Sequence, residues 1–395
     1  MREGWTYKTF GEVGSFLRGK SIQKADYVEK GMPCIHYGQI HTKFGISTDK
    51  HLSEIPLELY NRSVIASPGD VIIAITSEDL DGSCKSTAWL GNYDIAVSAH
   101  AAVYKHNLNP KFIAYYLRSN SFYVEKEKYA RGFKVMEIKP TDIARIPLPI
   151  PPSDIQQDLV AELDKVNDMM ALKRKQLADL DSLAQSLFCE MFGDPVVNEK
   201  GWSLQKLETI CTHIVDCPHS TPKKADKITQ YPCIRTSELK GGNISWDTMQ
   251  YLEEDEYNVR IVRLKPEAGD IVFGREGTIG DAVILPKGYF FSLGQRTMLL
   301  RANESVVTNT FLHRVILSEW VKKQIRSVNV SSTVAHVNIK DFKLFKIPVP
   351  PLSLQQSFAE KIAKIEAEKQ RVKSSLKDLE TLLASRMQFW FDNKL

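Results

Sequence analysis

Asp79, Asp81 and Lys85 stand close together in the stretch EDLDGSCK. Two carboxylates and an amine are the side chains with which a nuclease would hold a metal ion and a phosphate. Interleaved with Gly and Ser, however, they read better as a solvated turn. His36, His41 and His51 also cluster, but their spacing suits neither a helical nor a hairpin metal site. Cys211 and Cys217 are the closest cysteine pair and lack the C-x-x-C form and second pair of a zinc site. There is no G-x-S-x-G elbow, H-E-x-x-H, phosphate-binding G-x-x-x-x-G-K-[ST] loop or G-x-G-x-x-G turn. Asn109-Pro110-Lys111-Phe112 does not meet the Asp/Asn-Pro-Pro-aromatic form of an amino-methyltransferase. Nothing here assembles a reaction, so the chain is expected to bind rather than catalyse.

The elements that would carry such a binding function occur twice. Ile146 to Phe192 opens IPLPIPPSDIQQ, and Ile347 to Phe391 opens IPVPPLSLQQ, about 199 residues later. Earlier islands repeat at an interval that drifts from 197 to 201 residues. Gly4-Trp5-Thr6 matches Gly201-Trp202-Ser203, Pro33-Cys34-Ile35-His36 matches Pro232-Cys233-Ile234-Arg235, and Pro68-Gly69-Asp70 matches Ala268-Gly269-Asp270. Met136-Glu137-Ile138-Lys139 likewise matches Val337-Asn338-Ile339-Lys340. One duplication of this length is a repeated module and not a solenoid. The reading is a first domain over 1–150, a long helix over 151–193, a second domain over 194–350 and a second long helix over 351–395.

Composition sets wide bounds. The chain has 395 residues, 43% of them hydrophobic and 25% charged, as expected of an ordinary globular protein with material for two or three domains. A net charge of +4 permits a nucleic-acid partner without demanding one. No apolar run reaches the length of a membrane span, and MREGWTYKTF has no apolar leader core. The six scattered cysteines are expected to be reduced and mostly interior, which suits a cytoplasmic protein.

The repeated domains read as α/β, strand-rich. GDVIIAIT and GDIVFG are β-branched runs entered through Gly-Asp turns, and AVSAHAAVY and YFFSLGQRTMLL suggest further strands. PKFIAYYLRS and NTFLHRVILSEWVKKQIRS have helical periodicity, the second with an Asn or Thr cap. Asp154 and Ser353 are candidate N-caps of the long helices. Leu163, Val166, Met170, Lys173, Leu177, Leu180, Ala184, Leu187 and Met191 step by threes and fours, as do Ile362, Ile365, Lys369, Val372, Leu376, Leu379, Leu383, Arg386 and Trp390. Such heptad seams predict that the two helices pair as an antiparallel coiled coil; the competing reading is a helix lying on a globular core. About 38 residues at ~1.5 Å each make a rod of roughly 57 Å. Lys173, Lys369 and Arg386 interrupt the seam, and either fix its register or extend their charged heads out of it.

The two Pro-rich junctions running into Gln-Gln helices resemble those of specificity subunits of Type I restriction-modification systems. VDCPHSTP (Val215 to Pro222), REGTIGD (Arg275 to Asp281) and the Gly-Trp near each domain start are similar to phrases of the same family. The resemblance covers the whole chain, in order and in two copies. It implies that each domain is a target recognition domain reading one half of a split double-stranded DNA sequence, with no catalysis by this chain. It implies that the helices set the spacer and dock two adenine methyltransferase subunits, through which restriction and translocation subunits join. S-adenosylmethionine, ATP and magnesium then belong to those partners, and none to this chain. The first domain departs from the pattern: GSFLRGKSIQKADY stands where VDCPHSTP would be, so no contact residue transfers from one half to the other. A duplicated protein-binding scaffold and a stand-alone DNA-modifying enzyme are the alternatives.

Base edges are read by Arg and Lys at guanine and by Asn and Gln at adenine, with Ser and Thr adaptable, while cations and amides hold phosphates. On the implied function, the first-domain candidates are Lys20, Lys24, His36, Tyr37, Gln39, His41, Lys43, Thr76, Ser77, Lys85, His100, Arg131 and Lys134. Those of the second are His219, Ser220, Thr221, Lys223, Lys224, Arg235, Thr236, Ser237, Arg275, Gln295, Arg296, Ser331, Ser332 and His336. The plain alternative for each is a solvated residue or a structural hydrogen bond.

Overall fold

The structure, a computed structural model, describes residues 4–20, 22–132, 135–194, 196–277, 279–328 and 336–392. It divides into two compact units: Met1–Arg174 with Ser374–Leu395, and Lys175–Lys373.

In the first unit, a five-stranded sheet runs in the order Ser15–Arg18, Ala101–Lys105, Val71–Ala74, Ser86–Trp89, Ser47–Thr48. A four-stranded sheet runs Ser53–Ile55, Met32–Ile35, Ile95–Val97, Val64–Ala66. Side chains alternate along the central strand. Val71 and Ile73 enter a core with helix Pro110–Tyr116, while Ile72 and Ala74 enter a second core with Ile35, Ile95 and Val97. Both faces are thus dry, which is why GDVIIAIT is an unbroken apolar run and not an alternating one.

The second unit repeats the scheme with fewer strands. Cys211–Asp216, Thr297–Ala302, Ile271–Gly274 and Ala282–Ile284 form one sheet; Gln250–Tyr251, Pro232–Ile234 and Ser292–Leu293 form another. Ile271 and Phe273 face the core under helix Asn309–Ile316, and Val272 faces the other. Gly69 and Gly269 turn the chain into the central strands at φ +94 and +95, a conformation that costs glycine nothing. In each turn the following Asp accepts a backbone N–H three residues back and pairs with a cation, Lys105 in one unit and Arg301 in the other.

The junctions close each domain on itself. Thr6–Thr9 pairs antiparallel with Pro147–Ile150, and Ser203–Lys206 with Lys346–Val349. The central helix then spans Ser153–Phe192 and the C-terminal helix Leu352–Met387. Both start earlier than expected. Asp154 lies in the first turn and Ser353 inside the helix, because Pro152 and Pro351 supply the first backbone acceptors. The repeated glutamines lock the junctions. Gln156 accepts from Asn109 N at 3.1 Å and donates to Pro151 O at 2.9 Å; Gln355 accepts from Thr308 N at 2.9 Å and donates to Pro350 O at 2.8 Å. Both are buried.

Within each unit the stretches of the two helices run antiparallel. In the first, Val166 and Met170 pack on Leu376, Leu379 and Leu383, and Glu162 binds Arg386 and Trp390. In the second, Phe188 and Phe192 pack on Phe358, and Asp181 pairs with Lys369. Leu163, Val166, Met170, Ile362, Ile365, Val372 and Leu379 are buried; Leu177, Leu180, Leu187, Leu376 and Leu383 are half-buried. The seam departs from expectation at its end. Phe188 and Phe192 are buried where Leu187 and Met191 were expected, since there the helix packs against the domain core beside Phe311. Lys369 does not extend outward: only 5% of its side chain is exposed, and its ammonium lies 2.8 Å from Asp181 and 2.9 Å from Glu366. Five cysteines are buried and Cys189 is exposed, all unpaired.

Candidate nucleic-acid interface

In the first unit, strand Met32–Ile35 delivers His36, which caps helix Tyr37–Thr42 through Nδ1 accepting from Gly38 N. That bond leaves the ring proton on Nε2, as a donor. Burial, then His100 and Lys24, hold His36 below the ordinary histidine range. Tyr37 lies between His36, His41 and His100, at ring distances of 4.5, 6.1 and 5.2 Å. His41 Nε2 donates to Thr76 O, and Lys85 Nζ to His41 O. Lys20 bridges to Ser98, beside His100. The structure thus gathers Lys20, Lys24, His36, Tyr37, His41, Thr76, Lys85 and His100 into one neighbourhood. Thr76 is buried and presents its carbonyl. Gln39 is engaged by His36 N and Ser53 Oγ. Arg131 continues the neighbourhood through Glu137, which pairs with Thr76 and binds Arg18. Lys43 is exposed at the far end of the helix, and Ser77 pairs with Met136. Lys134 lies outside the described residues.

The second unit gathers His219, Arg275, Gln295, Arg296 and His336 around two carboxylates. Asp216 lies 3.2 Å from His219 and 3.5 Å from Arg275; Glu276 lies 3.3 Å from Arg296 and forms a backbone bridge with His336. Gln295 donates to His219 O, which fixes the VDCPHSTP loop against the strand entry. Ser220 accepts from buried Arg260. Arg235 and Ser237 both reach the fully buried Glu238, and Arg235 also donates to Thr248 O. Thr221, Lys223 and Lys224 are exposed, and Thr236 opens the short 3-10 turn. Ser331 and Ser332 lie outside the described residues. Neither carboxylate is among the residues singled out from the sequence, all of which are chosen by the chemistry that reads bases or holds phosphates. The Asp in VDCPHSTP and the Glu in REGTIGD were visible signals.

One backbone frame underlies both faces. His36 N donates to Gln39, and Arg235 N to Glu238. Ser98 N donates to Ile35 O, and Gly294 N to Ile234 O. His100 and Arg296 both precede the long strand in the left-handed region, at φ +66 and +65. Their carbonyls accept from Ile75 N and Arg275 N, whose own carbonyls accept from Ile138 N and Val337 N. On this shared frame the side chains differ throughout: His36 against Arg235, Thr76 against Glu276, His100 against Arg296, Glu137 against His336. No described helix is long and apolar enough to cross a membrane, and no described His, Cys, Asp and Glu form a metal-holding group.

This duplicated frame has relatives. The model of the Type I restriction modification DNA specificity domain matches residues 2–182 and again 199–379. The MjaVIII specificity subunit of Methanocaldococcus jannaschii, a Type I restriction enzyme, is 20% identical over 96% of this chain and 92% of its own. The EcoKI specificity subunit of Escherichia coli K12 is 23% identical over 92% of this chain and 82% of its own. The crystal structure of a Type I S subunit from M. genitalium shares the fold at 13% identity, with a TM-score of 0.56 over 97% of this chain and 95% of that one. The chain belongs to the Type I restriction-modification DNA specificity family. Its role is therefore that of a non-catalytic recognition subunit conferring DNA sequence specificity.

Proposed function

We propose that this chain recognises a bipartite double-stranded DNA target, its first domain reading one half-site and its second the other. One observation carries the reading: the same backbone frame recurs in both units with a different set of base-competent side chains on each. Duplication followed by divergence at those positions is what two separate half-sites require. The paired helices set the non-specific spacer and dock two adenine methyltransferase subunits, which in turn bring in the restriction and translocation subunits. S-adenosylmethionine, ATP and magnesium are held by those partners, and the product is N6-methyladenine in each half-site. The site of action is the cytoplasm.

Methylation mapping of the host genome tests this directly. The expected result is a split motif with one methylated adenine in each half, lost when this chain is deleted. A continuous motif, or methylation unchanged by the deletion, would overturn the reading. Inserting one heptad in both helices should lengthen the preferred spacer; an unchanged spacer would remove the helices as its ruler.

A further inference from the structure

A cavity of about 410 Å³ in the first unit is lined by Lys85, Arg118 and Lys126, with Asp81 as the carboxylate in its wall. Lys126 is 3% exposed and donates to Ser83 O at 2.6 Å and Asp81 O at 3.3 Å. Arg118 donates through Nη2 to Gly45 O and Ser86 O, while its buried Nε has no acceptor. Lys85 has His41 O. Every acceptor is a neutral carbonyl, and no carboxylate of a described residue comes within 4.0 Å of any of the three cations. A lysine has three N–H donors and an arginine five, so the cluster keeps donors in reserve. Burial, the first cause in each case, depresses all three, Arg118 to about 10. Lys126 is buried and Lys85 and Arg118 half-buried. Asp81 and Asp79 attract Lys126 from a distance without pairing with it, and a buried cation without a paired counter-charge is costly. The fold does not demand them here: 199 residues on, Leu317 and Ile325 occupy the matching helical positions and pack into the apolar core of the second unit.

We propose that this cavity seats a phosphate group of the DNA backbone beside the first half-site. A phosphodiester supplies the missing negative charge and acceptor oxygens, and it carries no sequence information, so it positions the first domain without specifying bases. The cavity adjoins the candidate reading face through Lys85, His41 and Thr76. The inference rests on the DNA-recognition reading, and its test separates the two.

The chain in complex with its methyltransferase partner is titrated with target duplex over a range of salt, as wild type and with Lys85→Gln or Lys126→Gln. Each variant should flatten the dependence of log K on log[salt] by about 0.9, the loss of one phosphate contact, with sequence preference unchanged. An unaltered slope overturns the proposal. Where Lys126→Gln does not fold, Lys85→Gln carries the test alone, since the Lys85 ammonium holds one carbonyl. Inorganic phosphate is the second probe. If it raises the melting temperature of wild type but not of the variants while the salt slope stays the same, the cavity takes free phosphate and the DNA assignment is overturned. A complex that binds no duplex at any salt overturns the recognition reading instead. The phosphate shift then still decides whether an oxyanion site exists, and no shift removes it.

Discussion

The two domains of this chain share hydrogen bonds and differ in side chains. Ile75 N to His100 O and Arg275 N to Arg296 O are one contact written twice, as are Gln39 and Glu238 under the caps. What varies is the chemistry displayed: in the first unit imidazoles, a phenol and lysines; in the second arginines and histidines held by Asp216 and Glu276. The difference teaches that the frame is maintained by main-chain pairing, which leaves the side chains free to diverge. It also locates rigidity. The second face is braced by ion pairs at its centre, whereas the first packs rings there, keeps its ion pairs at Arg18 and Arg131 and carries a cation cluster with no carboxylate in ion-pair contact.

The comparison can be broken most severely at the joints. Gln156→Leu should strand the Asn109 N–H and the Pro151 carbonyl, and Gln355→Leu the corresponding groups at Thr308 and Pro350. Losses of about 3 kcal/mol each are expected, the larger at the fully buried Gln355. Denaturant unfolding that shows under 1 kcal/mol for both would remove the glutamines as locks.

Acid should come next. Burial holds His313 at about 4, its ring donating to Ala282 O, and His106 at about 4 in the first unit. Between pH 6.5 and 4 the unfolded chain takes up protons that these folded rings refuse. Stability is therefore complete above about 6.5 and falls as pH drops through that window, by up to about 3 kcal/mol per histidine. Melting temperature against pH for His313→Gln should lose that residue's share of the slope; an unchanged slope refutes it. Ala114 occupies the matching position in the first unit, so the sensitivity of this site belongs to the second alone.

Half-site reading is the sharper test of divergence. Arg296→Gly and His100→Gly remove the side chain at a left-handed position that glycine tolerates. Each should weaken recognition of its own half-site by about 1–3 kcal/mol if it reads a base, and leave the other half unaffected. Uniform weakening on all sequences would mark a phosphate contact instead. The smallest effect is expected at the seam. Lys369→Met copies Met170 of the first unit and exchanges a buried ammonium, paired with the more exposed Asp181 and Glu366, for apolar packing, so stability should rise by up to about 1 kcal/mol. A loss above that, in thermal unfolding, would show that the ion pairs with Asp181 and Glu366 stabilise the seam.

Much of the architecture was legible. The Gly-Asp turns, the duplicated junctions and the heptad spacing announce strands and long helices, because those signals act over a few residues. The ends of the helices were not: prolines supply their first acceptors, and Asp154 and Ser353, chosen as caps by residue type, lie inside. The site was legible in composition but not in partnership. Arg235 reads as a free cation in the sequence, yet Glu238, a neighbour only across a turn, already holds it. Arg118 and Lys126 were invisible because their positions look like the polar face of a helix, and only the fold turns them onto the loop Asp81–Lys85. Left-handed Arg296 gave no warning, since arginine does not favour the conformation, and His100 gave only a faint one, histidine being among the residues enriched there.

The side-chain amides of Gln156 and Gln355 hydrogen-bond to main chain: two amide N–H groups and three carbonyls, all supplied by peptide units. A socket that asks only for peptide groups is indifferent to the residues that bring them. It works as a standard fitting, so that any domain ending in the same hairpin of backbone can be mounted on the same shaft. One domain can then diverge from the other with no need to recut the thread.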